Sequence, residues 1–119
     1  MPTNPADWID GVVTELVAGQ NADGGWPYVS GGASSTEATA LAILAMEAAQ
    51  IDASALATSL DWLTARQRTD GAFTISDECP DASWVTPLAA MVLARHWRSD
   101  AAQSAIAQLL AAKVFVLDP

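Results

Sequence analysis

The sequence predicts an all-α protein made of αα-hairpin repeats, and three observations carry that reading. Apolar residues form 51% of the 119-residue chain while aromatic residues form only 7%. Much of the apolar content is alanine, a strong helix former that adds little volume and suits closely packed helices. The chain also matches itself without gaps at a separation of 47 residues: Gln20 with Gln67, Asp23 with Asp70, Gly24 with Gly71, Trp26 with Phe73, Thr39 with Thr86 and Leu41 with Leu88. A fixed period of this length is the mark of stacked supersecondary units. Finally, amphipathic segments alternate with segments that are apolar nearly all the way round, which separates outer from inner helices.

Taken in order, the first helix is expected over about residues 5–19, with Asn4 as N-cap and Pro5 at the first helical position. Trp8, Ile9, Val12, Val13, Leu16 and Val17 recur at helical spacing on one side, so this helix is amphipathic. The second, about 35–50, starts on a capping box of Ser34 with Glu37 and is apolar on nearly every side from Ala38 to Ala49. Such a helix is expected to be enclosed by protein. The third, about 53–66, carries the stripe Leu56, Leu60 and Leu63. The fourth, about 84–97, is capped by Ser83, tolerates Pro87 in its first turn and is again apolar all round. The fifth, about 100–112, is capped by Ser99 and carries Ile106, Leu109 and Leu110. These elements make one domain over 1–119, with repeat 1 at about 5–50, repeat 2 at about 53–97 and a partial repeat 3 at about 100–119.

Between the helices of each repeat lies a corner motif. Gly24, Gly25 and Gly71 permit the positive φ that a tight reversal after a helix needs. Gln20 and Gln67 stand at helix C-termini, where a side-chain amide can satisfy exposed backbone groups while Trp26 or Phe73 packs against it. Asp23 and Asp70 suit the turn by accepting nearby N–H groups, and the alternative role of such carboxylates is cation binding.

Charge excludes one class of partner. With 14 acidic and 5 basic residues the net charge is −9, which repels phosphate backbones, so no nucleic-acid partner is expected. Cys79 is the single cysteine, which rules out an intrachain disulfide. The start lacks the basic and apolar regions of a signal peptide, and no apolar stretch approaches the ~20 residues of a membrane helix. A cytoplasmic protein is the resulting expectation.

The run Gln20-Asn21-Ala22-Asp23-Gly24-Gly25-Trp26, followed by Ser35-Thr36-Glu37-Ala38-Thr39-Ala40-Leu41-Ala42, resembles the glutamine-tryptophan repeat of squalene-hopene cyclases and the related repeat of protein prenyltransferase β subunits. Gln67-Arg68-Thr69-Asp70-Gly71-Ala72-Phe73 is a second copy, and the similarity covers about residues 8–97. The resemblance implies part of an α/α toroid with inner and outer helix layers and an apolar cavity for an isoprenoid. The family's chemistry transfers poorly. The Asp-x-Asp-Asp proton donor of triterpene cyclases and the Asp-Asp-x-x-Asp motif of ionising terpene synthases do not occur. Asp77-Glu78-Cys79 has the Asp-x-Cys spacing of the prenyltransferase zinc site, and His96 is the single histidine. His96 falls near the far end of the fourth helix, however, some 18 Å from that loop at ~1.5 Å per residue. Cys79 is therefore read as a loop thiol and His96 as a cation at a helix C-terminus. No catalytic residue and no cofactor is expected, with Asp77 and Cys79 as the alternative ligands for zinc or magnesium.

A third copy of the corner is expected near residue 114 but is replaced by Lys113-Val114-Phe115-Val116-Leu117. With about two and a half repeats a ring does not close, so the inner helices need a cover. Self-association, a missing continuation or another protein would supply it, and an isoprenoid or lipid is the small-ligand alternative. Two functions follow: a non-catalytic or incomplete helical binding or assembly module, or part of an isoprenoid-processing enzyme completed by oligomerisation or a continuation. Trp62, Trp84 and Trp97 are expected as packing residues.

Overall fold

The computed structural model describes residues 5–50, 53–79 and 84–111, with the side chains of 5–10, 13 and 53 outside that description. Its elements are α1 (Pro5–Ala18), β1 (Trp26–Pro27), β2 (Ser34–Ser35), α2 (Thr36–Ala49), α3 (Ala53–Ala65), α4 (Thr86–Arg95) and α5 (Ser99–Ala111). The protein is thus mostly helical, and the expected helices are in place to within two residues at each end. The two-residue antiparallel ladder, Trp26 opposite Ser35 and Pro27 opposite Ser34, was not expected and closes the loop between α1 and α2.

The helix starts differ from the sequence reading. Ser35, not Ser34, is the N-cap of α2: its hydroxyl accepts the Ala38 N–H at 3.2 Å. Ser34 is withdrawn from capping because its hydroxyl donates to Asp23 Oδ1 at 2.7 Å. Val85 occupies the N-cap of α4 with no side-chain cap bond, and Pro87 sits in the first turn. Ser99 is the first residue of α5, because the Arg98 carbonyl already accepts the Ala102 N–H at 3.0 Å. Asn4 and Ser83 lie outside the described residues.

Helix ends repeat as well. The Arg98 N–H donates to Leu93 O at 2.9 Å and Trp97, at φ 63°, is left-handed, so α4 stops in a Schellman turn with tryptophan where glycine is usual. Gln50, 47 residues earlier, ends α2 in the same conformation at φ 55°.

Packing is ordered along the chain. α2 touches α1, α3 and α4, and α4 touches α2, α3 and α5. The core formed between them contains Ile43, Met46, Leu63, Phe73, Val85 and Leu93, all essentially inaccessible to solvent. Burying each such side chain contributes on the order of 1.5–3 kcal/mol. Leu16 and Leu56 pack against the core from α1 and α3, whereas Val12, Ile106 and Leu110 are exposed. The side chains of Trp8, Ile9 and Val13 lie outside the description.

One expectation needs correction. α2 and α4 are not enclosed on all sides: Leu41 is 51% exposed and Met91 47%. Their flanking helices cover one side of the pair, and no described element covers the other. Trp84 and Trp97 are not packing residues either, at 62% and 88% exposed, although Trp62 is buried.

Candidate functional site

The two corners share one hydrogen-bond pattern. In the first, Gly24 adopts φ 98°, its N–H donates to Asn21 O at 3.0 Å, and the Asn21 N–H returns to Gly25 O at 2.8 Å. In the second, Gly71 adopts φ 93°, with Gly71 N–H to Arg68 O at 2.9 Å and Arg68 N–H to Ala72 O at 2.8 Å. Gln20 Nε2 donates to Gly24 O at 2.9 Å and Ala55 O at 3.2 Å, and Gln67 Nε2 to Gly71 O at 3.0 Å and Ala101 O at 2.8 Å. Gln20 thereby ties its turn to α3, and Gln67 its turn to α5. Asp23 Oδ1 accepts the Gly25 N–H and Asp70 Oδ1 the Ala72 N–H, both at 3.0 Å. Trp26 differs from Phe73 by one bond, since its indole N–H donates to Leu16 O at 2.8 Å.

Thr39 and Thr86 have a role that sequence reading missed, although their spacing marked them. Thr39 Oγ1 accepts the Trp26 N–H and Thr86 Oγ1 the Phe73 N–H, both at 2.9 Å and both buried. Each threonine pins a corner to the first half of α2 or α4 and satisfies a buried N–H that would otherwise cost about 1–3 kcal/mol.

Asp23 is the corner carboxylate with a shifted titration. Partial burial opposes its ionisation, but hydrogen bonds from Ser34 and the Gly25 N–H outweigh that, aided by Trp62 and Arg66, and hold it below the ordinary aspartate range. Both of those bonds fall on Oδ1, which ties the carboxylate to the turn.

The metal candidates do not converge. Asp77 Oδ1 lies 2.9 Å from Arg66 Nε, whose guanidinium also stacks 4.8 Å above the Trp62 ring centre. Cys79 is exposed, its N–H bonded to Ser76 O. His96 is elsewhere: it is the C-cap residue of α4, as expected, and its Nε2, 3.2 Å from Glu47 Oε2, joins α4 to α2. Among the described residues no group of three or more His, Cys, Asp or Glu is placed to hold a metal ion. Arg95 binds the same Glu47 carboxylate through Nε, at 3.1 Å, and Nη2, and that bidentate contact keeps Glu47 below the ordinary glutamate range.

What remains as a surface able to bind is the uncovered side of α2 and α4. The two helices run side by side in one direction: the Thr36 N–H at the start of α2 donates to Ile75 O at 2.7 Å in the loop that Phe73 ties to Thr86 at the start of α4, and the helix ends meet through Glu47, Arg95 and His96. Leu41, Ala45 and Ala48 of α2 and Met91 and Arg95 of α4 are exposed there, whereas Leu88 and Leu44, which match Leu41 and Met91 at the 47-residue spacing, are partly buried against the core. Trp84 precedes Leu88 by one turn, and Glu37 precedes Leu41. Next to the start of α2 lies an open groove of about 230 Å³ lined by Tyr28, Val29, Ile75 and Glu78 among others.

Fold and site together define an all-α protein with a two-stranded ladder, a repeated glutamine-centred corner and an uncovered apolar helix pair. Among the described residues no helix is long and apolar enough to cross a membrane. In comparisons with protein-family models, curated proteins and solved structures, nothing matches this chain.

Proposed function

We propose that this chain is a non-catalytic helical binding module, a partial α/α toroid of about two and a half αα-hairpin repeats whose inner helices α2 and α4 receive another protein. The observation that carries the reading is the exposure of Leu41 and Met91, at 51% and 47%, on the side of the helix pair that no described element covers. Apolar rows of this kind on a folded domain mark interaction surfaces. The repeated corners support the αα-repeat architecture, since the same side chains make the same bonds in each copy.

The second reading, an isoprenoid-processing protein, draws on the same uncovered row as a cavity wall. Among the described residues its candidate groups do not converge, Asp77 being paired with Arg66 and His96 with Glu47. The experiment compares wild type with Leu41→Gln/Met91→Gln for binding of an apolar-surface dye and for mass by light scattering at micromolar concentration. Dye binding or self-association in the wild type, lost in a variant that melts at the same temperature, supports the module. A monomeric wild type that binds no dye refutes it. Turnover of a polyprenyl diphosphate or squalene, with Mg²⁺ or Zn²⁺ supplied, would favour the enzyme instead.

A further inference from the structure

We infer that the occupant of the α2–α4 face is a cationic amphipathic helix of another protein, and not a second copy of this chain. The inference rests on the reading of that face as a docking surface and adds the partner's chemistry. Two neighbouring helices that expose Leu41 and Met91 on one side present ridges and grooves onto which a third helix packs, its axis about 8–10 Å from each. Recognition of that kind reads apolar anchors at helical spacing on the incoming segment. Trp84, 62% exposed at the start of α4, is the residue type that most often anchors such contacts.

Charge selects among helices. All four described arginines are engaged within the chain: Arg66 with Asp77, Arg68 with Asp70, Arg95 with Glu47 and Arg98 with Asp61. Among the described residues the face therefore offers a partner no unpaired arginine or lysine. Among the described residues neither Glu37, one turn before Leu41 and beside the Tyr28 hydroxyl, nor Glu78 in the adjoining groove is paired with a basic side chain. A second copy would bring a net charge of −9 against −9. Like-signed surfaces of that size slow encounter and oppose docking, whereas a lysine- or arginine-bearing helix is drawn to the carboxylates at the head of the face.

The test uses the whole chain and three synthetic 18-residue probes: an amphipathic Leu-Lys helix, its Leu-Glu counterpart and a Leu-Lys peptide of the same composition in scrambled order. Titration calorimetry at two salt concentrations is expected to show 1:1 binding of the amphipathic Leu-Lys helix, at least about tenfold tighter than either control. Leu41→Gln/Met91→Gln should weaken it by a similar factor. Glu37→Gln/Glu78→Gln should weaken it severalfold and flatten its salt dependence, while Glu15→Gln/Asp100→Gln should leave it unchanged. Equal binding of the Leu-Glu helix, or a wild-type dimer dissolved by Leu41→Gln/Met91→Gln, would overturn the inference and leave the docking surface standing. Equal binding of the scrambled peptide would overturn it as diffuse charge attraction. A dye-negative monomer that binds no peptide would remove both.

Discussion

Gln67 Nε2 donates to the Ala101 carbonyl at 2.8 Å, so a side chain at the end of α3 holds the first turn of α5. Gln20 makes the corresponding bond to Ala55, at the start of α3. The partner lies 34 residues on from Gln67 and 35 on from Gln20, so the helix that receives the bond is shifted by one residue while the corner itself is not. Gln67→Ala removes two bonds and leaves the Gly71 and Ala101 carbonyls to be satisfied by water, at a cost of about 1–3 kcal/mol. Urea denaturation reads this directly. A variant within ~0.5 kcal/mol of wild type would show that the bond carries no net stability.

Close approach explains why the corner uses glycine. A Cβ on Gly71 would stand 2.2 Å from Ser104 O, and on Gly24 2.8 Å from Thr58 O, both at positive φ. Gly71→Ala is expected to cost about 3 kcal/mol and Gly24→Ala about 2, from left-handed strain plus displacement of the next outer helix. Gly11→Ala, in α1 with nothing within 4 Å of the added Cβ, should instead stabilise by about 0.5–1 kcal/mol. Melting curves that failed to separate the three would contradict the packing of the corners against α3 and α5.

α2 and α4 end in left-handed non-glycine residues, a conformation that costs about 1–2 kcal/mol at each. Trp97 is 88% exposed at φ 63°, so its ring contributes little burial to offset the backbone cost. Trp97→Gly should raise stability by about 0.5–1 kcal/mol, the left-handed penalty less glycine's larger unfolded-state entropy. Destabilisation on this substitution would mean that the ring contributes packing.

How far these features were legible depended on whether they are local. The separation of Gln20 from Gln67 and of Asp23 from Asp70 is a property of the string, and the bonds those residues make are short-range or reach the next helix start. Thr39 and Thr86 were visible as a matched pair, yet threonine inside an apolar run does not announce that its hydroxyl caps an N–H 13 residues upstream. The Ser34 cap went to Ser35 because Asp23, 11 residues away in sequence, took the first hydroxyl. Tryptophans 84 and 97 misled through composition: large apolar residues are ordinarily buried, and only the packing of α4 determines which side of it is left bare. The tie from His96 to Glu47 spans 49 residues and leaves no periodic trace.

Asp23 supplies a pH dependence whose sign is set by its depressed titration. Burial acts against the carboxylate, but Ser34 and the Gly25 N–H bind the ionised form more strongly, so the folded value lies below the unfolded one. A group of that kind contributes stability above its unfolded pKa, about 3.9, and loses that contribution as pH falls through the lower folded value. Asp23→Asn keeps an acceptor for Gly25 and removes the charge. Its deficit relative to wild type should therefore be largest near neutral pH and shrink below about pH 4. Asp23→Ala also removes the acceptor, so part of its deficit should persist at every pH. Denaturation of the three proteins between about pH 7 and pH 2.5 checks this, and an Asn deficit constant across that range would mean that the turn uses Asp23 as a neutral acceptor only.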